Sequence, residues 1–152
     1  MQELRFSEVE ESVKSGQPGL YEIHTVDGVP LKVGIADDLR ARLLQHRASR
    51  QSALKLKPGG DRSRPGDLES KGSVLAKHLY YDETVAPNHD LKTEVGRRAF
   101  LETGCVVRVE PTCTRQEARV LEKQREAAGV FRYVGRVRIR GRVMPESRTH
   151  LL

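Results

Sequence analysis

The chain has 152 residues, with 27 lysines and arginines against 21 aspartates and glutamates, a formal charge of +6 with histidine neutral. That length suits one domain and is short for two ordinary ones. With 32% charged and 37% hydrophobic residues and a mean hydropathy of -0.58, the composition fits a cored domain with a very polar surface and argues against a fully disordered chain.

In chain order, Phe6-Ser7-Glu8-Val9-Glu10 has the S-x-x-E form of a capping box, which predicts a short helix opened by Ser7 and Glu10 and stopped at Gly16. Residues 1–17 are expected to form an N-terminal helical extension. After Pro18, Gly19 to His24 is rich in strand formers, Asp27-Gly28 supplies a turn, and Pro30 to Gly34 returns, which reads as a β-hairpin. Asp37 or Asp38 is a competent N-cap for a helix over residues 39–50, a stretch with no acid. Residues 51–72 hold four glycines, two prolines and five lysines or arginines. Such a composition predicts a long loop, functional or disordered, inserted as a flexible basic segment.

Beyond it, Ser73 is expected to cap a helix through Tyr80, and Asp90 another through Phe100 that stops at Gly104. Cys105 to Val109 reads as a strand, and Thr114-Arg115-Gln116-Glu117 as a second capping box whose helix runs to Gly129. Residues 129–152 carry six arginines (132, 136, 138, 140, 142 and 148) against one acid, Glu146. Within them, Arg136 to Arg140 alternates with apolar residues and suits a basic edge strand, either a phosphate-binding strip or a guard against aggregation.

No run approaches the roughly 18 to 20 apolar residues of a spanning helix, and the first residues lack the apolar core of a signal peptide. No membrane partner is therefore expected, and the cytoplasm is the expected address. Cys105 and Cys113 are the only cysteines, which supports neither a disulfide framework nor a structural zinc.

At about 100° per helical residue with Leu39 at zero, Arg42 falls about 60° to one side, His46 about 20° to that side and Leu43 about 40° to the other. Arg42 and His46 thus share the leucine arc, so Arg42 should lean over the sheet where Tyr21 stands. A guanidinium there can bind a phosphate bidentately and stabilise a pentacovalent transition state. Taken singly, each residue has an ordinary reading: a half-buried strand tyrosine, a solvated helix charge, a satisfied histidine, and for Lys32 an outward solubilising charge.

Gly19-Leu20-Tyr21, then Lys32-Val33-Gly34, an Arg eight residues after that Gly, a His one turn later and a Glu on a downstream helix stand in a fixed order. In that order the chain resembles the GIY-YIG endonuclease family over roughly residues 18–127. The resemblance implies an α/β (α+β) domain over residues 18–128, with a small three-stranded antiparallel sheet flanked by helices. It also implies that Tyr21 orients or deprotonates the attacking water, Arg42 stabilises the phosphate, and His46 assists by proton transfer or hydrogen bonding. Glu122, in the pattern E-A-x-x-L-E, would hold one divalent metal, Mg²⁺ or Mn²⁺, which suits a single carboxylate helped by phosphate oxygens. Glu117 has the capping role, and Glu126, near the helix end, is expected to face solvent.

Two positions depart from the family pattern. Lys32 stands where the second motif normally begins with Tyr, and the family's later Asn has no match in residues 129–133. Lys32 either lowers the phenol's pKa, or serves as the base itself when neutral, or marks a site that binds nucleic acid and no longer cuts it. The expected function is a metal-dependent DNA endonuclease nicking as a monomer, with Arg40, Arg47, Arg50, Lys55, Lys57, Arg136, Arg138 and Arg140 gripping phosphates. Without a long second domain, target specificity would come from a protein partner or from the inserted loop. The alternatives are an inactive nucleic-acid-binding module and, less well matched, a basic RNA-associated protein.

Overall fold

The computed structural model describes residues 1–141. Arg142 and Arg148 of the arginine-rich end, with Glu146, lie outside the described residues. The elements run β1 (Gln2–Leu4), α1 (Val9–Ser12), β2 (Gly19–Thr25), β3 (Pro30–Ala36), α2 (Leu39–Ala48), β4 (Leu54–Leu56) and β5 (Leu68–Ser70). There follow α3 (Val74–Tyr80), α4 (Glu94–Gly104), β6 (Cys105–Pro111) and α5 (Arg115–Ala127).

The main sheet has the order β1-β6-β2-β3, with every neighbouring pair antiparallel. It is four-stranded where three strands were expected, because Gln2 to Leu4 pairs along the edge of β6. Three residues are too few to carry a period-two pattern. The 1–17 segment is accordingly part of the sheet and core, with Phe6 and Val9 fully buried. A 3-10 turn over Phe6–Glu8 leads into α1, and its capping box closes two residues before the expected Ser7 and Glu10: the Glu8 carboxylate accepts from the Arg5 amide.

β2 lies centrally and is buried along its whole length, because helices cover both sheet faces. On one face Tyr21, Ile23, Val107 and Val109 meet Leu39 and Leu43 of α2, Leu75 and Leu79 of α3, and Phe100 and Leu101 of α4. On the other, Leu20 and Val33 meet Ala118 and Leu121 of α5. The β2–β3 hairpin turns through Gly28 at φ 93°, a left-handed conformation that glycine adopts without Cβ strain.

Residues 51–72, expected as loop, contain two short strands. β4 and β5 pair as a short hairpin, and Leu54 and Leu68 pack on Ala76, Tyr80 and Tyr81. Asp38 caps α2 through the Ala41 amide and Ser73 caps α3 through that of Ala76. For α4 the cap is Thr93, three residues after the expected Asp90; Asp90 instead organises the preceding turn, accepting from Lys92 and Thr93. Arg97 of α4 is wholly buried and donates to the Ser49 hydroxyl and carbonyl beyond the end of α2, where a cation complements the helix dipole.

The expected edge strand at residues 136–140 is reduced to one bridge, Asp82 with Arg140. The chain turns at Gly135 (φ 71°) and is held by side chains: the buried Asp82 carboxylate accepts from Arg132 at 2.7 and 3.0 Å and from the Tyr133 hydroxyl at 2.7 Å. Among the described residues, no helix is long and apolar enough to cross a membrane, and both cysteines are free.

Candidate active site

Tyr21 faces Gly34 across the β2–β3 ladder. Its ring crosses that glycine so closely that a Cβ at position 34 would overlap the phenol, which is the physical use of a glycine there. The hydroxyl lies 2.7 Å from His46 Nε2, and His46 Nδ1 lies 2.8 Å from the Ser73 Oγ that caps α3. Tyr21, His46 and Ser73 are 1%, 0% and 3% exposed, so sheet, α2 and α3 meet in one buried polar chain.

Arg42, one turn before His46, donates to the Gln45 side chain and to the Gly72 carbonyl. Its charge also reaches Tyr21, Lys32 and His46. Burial raises the Tyr21 phenol above its ordinary pKa, with Arg42 pulling the other way and Glu122 adding to the rise. Burial, then the Arg42 and Lys32 charges, hold His46 well below the usual imidazole value. The resting proton therefore stays on the phenol and the imidazole is neutral. With the Arg42 cation near the phenol oxygen, the favoured arrangement has the Tyr21 hydroxyl donating to Nε2, leaving Nδ1–H to donate to Ser73.

Lys32 pairs with Ile23 on the Tyr21 face of the sheet and is half-buried, not an outward strand charge. Burial and the Arg42 charge lower its pKa, against an opposite pull from Glu122 and Glu126. Glu122 is half-buried on α5, and burial together with Glu126 raises its pKa while Lys32 lowers it. Glu126, expected to face solvent, is also half-buried and acts on both groups, because α5 lies along β3 to its last turn. Glu117 accepts from the Cys113 amide, one residue outside the expected capping-box bond, while Thr114 caps as expected.

The structure thus brings Tyr21, Lys32, Arg42, His46 and Glu122 into one electrostatic neighbourhood. Among the described residues, no group of three or more His, Cys, Asp or Glu side chains has metal-binding geometry. Glu122 and Glu126, one turn apart on α5, are the carboxylates that could hold a hard cation; burial, then Glu126, raises the Glu122 pKa, and a divalent ion there would take its other ligands from phosphate and water.

The expected phosphate contacts divide. Arg50, Lys55, Lys57, Arg136 and Arg138 are exposed, and Arg40 is half-buried. Arg47 is not available in this way: it is tied to Glu10 at 2.7 Å and to the Phe6 carbonyl. Nor is Arg140, which donates to the Arg132 carbonyl and lies over the Tyr133 ring. Two cations escaped the sequence reading, Lys71 and Arg115; they line a cleft of about 870 Å³ together with Arg42, Arg50 and Ser73. Ser73 was legible as a helix cap, but its contact with His46 spans 27 residues and leaves no local signal.

These observations define a mixed α/β protein, with an antiparallel sheet and five α-helices among the described residues, bearing a buried Tyr-His-Ser chain beside a cationic cleft. No protein-family model, curated protein or solved structure matches the chain.

Proposed function

We propose that this chain is a GIY-YIG-like, metal-dependent endonuclease that hydrolyses phosphodiester bonds in DNA. The observation that carries the reading is the 2.7 Å contact between the Tyr21 hydroxyl and His46, beside an arginine that also lines an open cationic cleft. In this reading Arg42 binds a non-bridging phosphate oxygen and offsets the charge that develops at phosphorus. Tyr21 takes a proton from the attacking water while its own hydroxyl proton passes to His46 Nε2, and as the water oxygen bonds to phosphorus the bond to the leaving oxygen breaks and that oxygen takes its proton from solvent. Lys32, whose pKa is lowered by burial and the Arg42 charge, stands where the family's second motif has its tyrosine. Glu122 and Glu126 would hold Mg²⁺ or Mn²⁺, which supplies Lewis-acid stabilisation of the phosphate when bound.

One observation favours a second reading. Tyr21 is 1% exposed and its hydroxyl is occupied by His46, which is also how a purely structural tyrosine is satisfied. A module that binds DNA without cutting it would show the same core.

Incubation of supercoiled plasmid with Mg²⁺ or Mn²⁺, with a chelator control and with Glu122→Ala and Tyr21→Phe, separates the two. Metal-dependent nicking that falls by about 10² or more in Tyr21→Phe, and is lost in Glu122→Ala, is expected. Salt-dependent binding without nicking in either metal selects the binding module.

A further inference from the structure

The residues flanking Arg42 extend the candidate site into a binding groove of defined direction. The cleft is lined by α2 residues with Arg115 beside Asp37 just before that helix, Arg50 just beyond its end, and Lys71 next to Gly72, whose carbonyl accepts from Arg42. Four cations line it against two carboxylates, Asp37 and Asp38, and Asp38 is engaged as the α2 cap. Among the described residues, Arg50 and Lys71 make no salt bridge, and the Arg115 pair with Asp37 is loose, at 3.9 Å with half or more of each side chain exposed. The cations come from three separate elements, α2, the base of the β4–β5 hairpin and the first turn of α5, so their convergence is a product of the fold.

From the geometry we infer that this groove holds the phosphodiester backbone of one DNA strand. Arg42 meets the central phosphate, while Arg115 on one side and Lys71 with Arg50 on the other meet its neighbours. The ten residues of α2 span about 15 Å, the rise of about four nucleotides at 3.4 Å per strand. Among the described residues, no aromatic side chain lines the groove, and they offer no stacking platform of the kind on which single-strand binders hold bases. Recognition is by charge and is indifferent to base sequence. The β4–β5 hairpin has a use here: Leu54 and Leu68, packed on Ala76, Tyr80 and Tyr81, tie its base to α3, beside which Lys71 and Arg50 lie. The inference rests on the nucleic-acid reading of the same site and extends it to residues outside the motif order.

The test is equilibrium binding of a fluorescently labelled DNA duplex in chelator, over a series of salt concentrations, so that no cleavage enters. Wild type is compared with Lys71→Ala, Arg115→Ala, the double variant, and Lys14→Ala, an exposed lysine outside the groove lining. Circular dichroism verifies that each variant folds. The slope of log affinity against log salt is expected to fall by about 0.9 for each groove contact removed, to stay unchanged for Lys14→Ala, and to be the same for duplexes of different sequence. A duplex should bind at least as well as the matching single strand. Unchanged slopes in the double variant, or an equal loss from Lys14→Ala, overturn the groove assignment. Tighter binding of an RNA duplex, or of single strands in a base-dependent way, overturns DNA backbone as the occupant. Plasmid nicking is scored separately: a groove that binds as described in a protein that never nicks defeats the nuclease reading alone, and nicking with slopes insensitive to Lys71 and Arg115 defeats the groove alone.

Discussion

At the scale of single residues, the site depends on which ring nitrogen of His46 carries its proton. Ser73 is the positioning residue: its Oγ lies 2.8 Å from Nδ1 and also accepts the Ala76 amide. With Nδ1–H directed at Ser73, Nε2 is free to accept from Tyr21. Replacing Ser73 by Ala removes both the cap, at a cost of about 1 kcal/mol, and the anchor for that tautomer. ¹⁵N chemical shifts of the His46 ring are expected to move toward the Nε2–H form in Ser73→Ala and to return in Ser73→Thr, which keeps an oxygen in place. A residue that merely capped α3 would lower stability and leave the ring shifts unmoved. Tyr21, Arg42, His46 and Glu122 entered the sequence reading through the order of the motifs and, for Arg42 and His46, through helical spacing; the structure places their charges within reach of one another. Ser73 as the partner of His46, and Glu126 as the neighbour of Glu122 and Lys32, were not, since only packing decides which charges face each other.

Among the elements, α2, α3 and β6 fell where cap residues and alternation placed them, and the β2–β3 hairpin followed its Asp-Gly turn. Errors arose where two cap candidates stand close together, Asp90 against Thr93 and Glu8 against Glu10, because the tertiary entry angle of the helix selects between them. The arginine-rich segment failed as a strand for a related reason. Its alternation is outweighed by Asp82, which is buried without side-chain exposure and bonded to Arg132 and Tyr133. Burial works against that carboxylate, yet the bonds from Arg132 and Tyr133 take its pKa down to about 2. Asp82→Ala is expected to cost about 3 kcal/mol by chemical denaturation, the lower end for breaking a buried pair because Arg132 keeps some access to water. It should also free residues 132–140 for limited proteolysis; stability within about 0.5 kcal/mol of wild type and an unchanged cleavage pattern would contradict the clamp.

Over the whole molecule, two buried imidazoles tie stability to pH. Burial and nearby cations hold His46 well below its ordinary value, and burial, followed by Lys32, Arg140 and Lys77 and opposed by Asp82, brings His78 down to about 4. Both folded pKa values are depressed, so below the unfolded value of about 6.5 the unfolded chain binds more protons. The stabilisation is complete above that value and is lost as pH falls toward about 4 for His78, at up to about 1.4 kcal/mol per pH unit for each group. Urea unfolding across this window is expected to show that slope. His78→Phe, which preserves the stack on Tyr133, should remove one histidine's share, and an unchanged slope in that variant would exclude His78 as a source.

The candidate residues came from the order of motifs along the chain, and composition and hydrophobic period determined, without any fold in view, a mixed α/β chain with a basic surface and a β-hairpin followed by a helix. These are short-range properties, written in caps, turns and alternation. Only the tertiary structure decided that β4 and β5 pair as a hairpin within residues 51–72, that β1 adds a fourth strand, that Arg47 and Arg140 serve as internal ties, and that Lys71 and Arg115 border one groove with Arg42. Each of those outcomes is a contact between residues far apart in the chain, where burial and charge pairing, not local propensity, set which side chains remain open to a ligand.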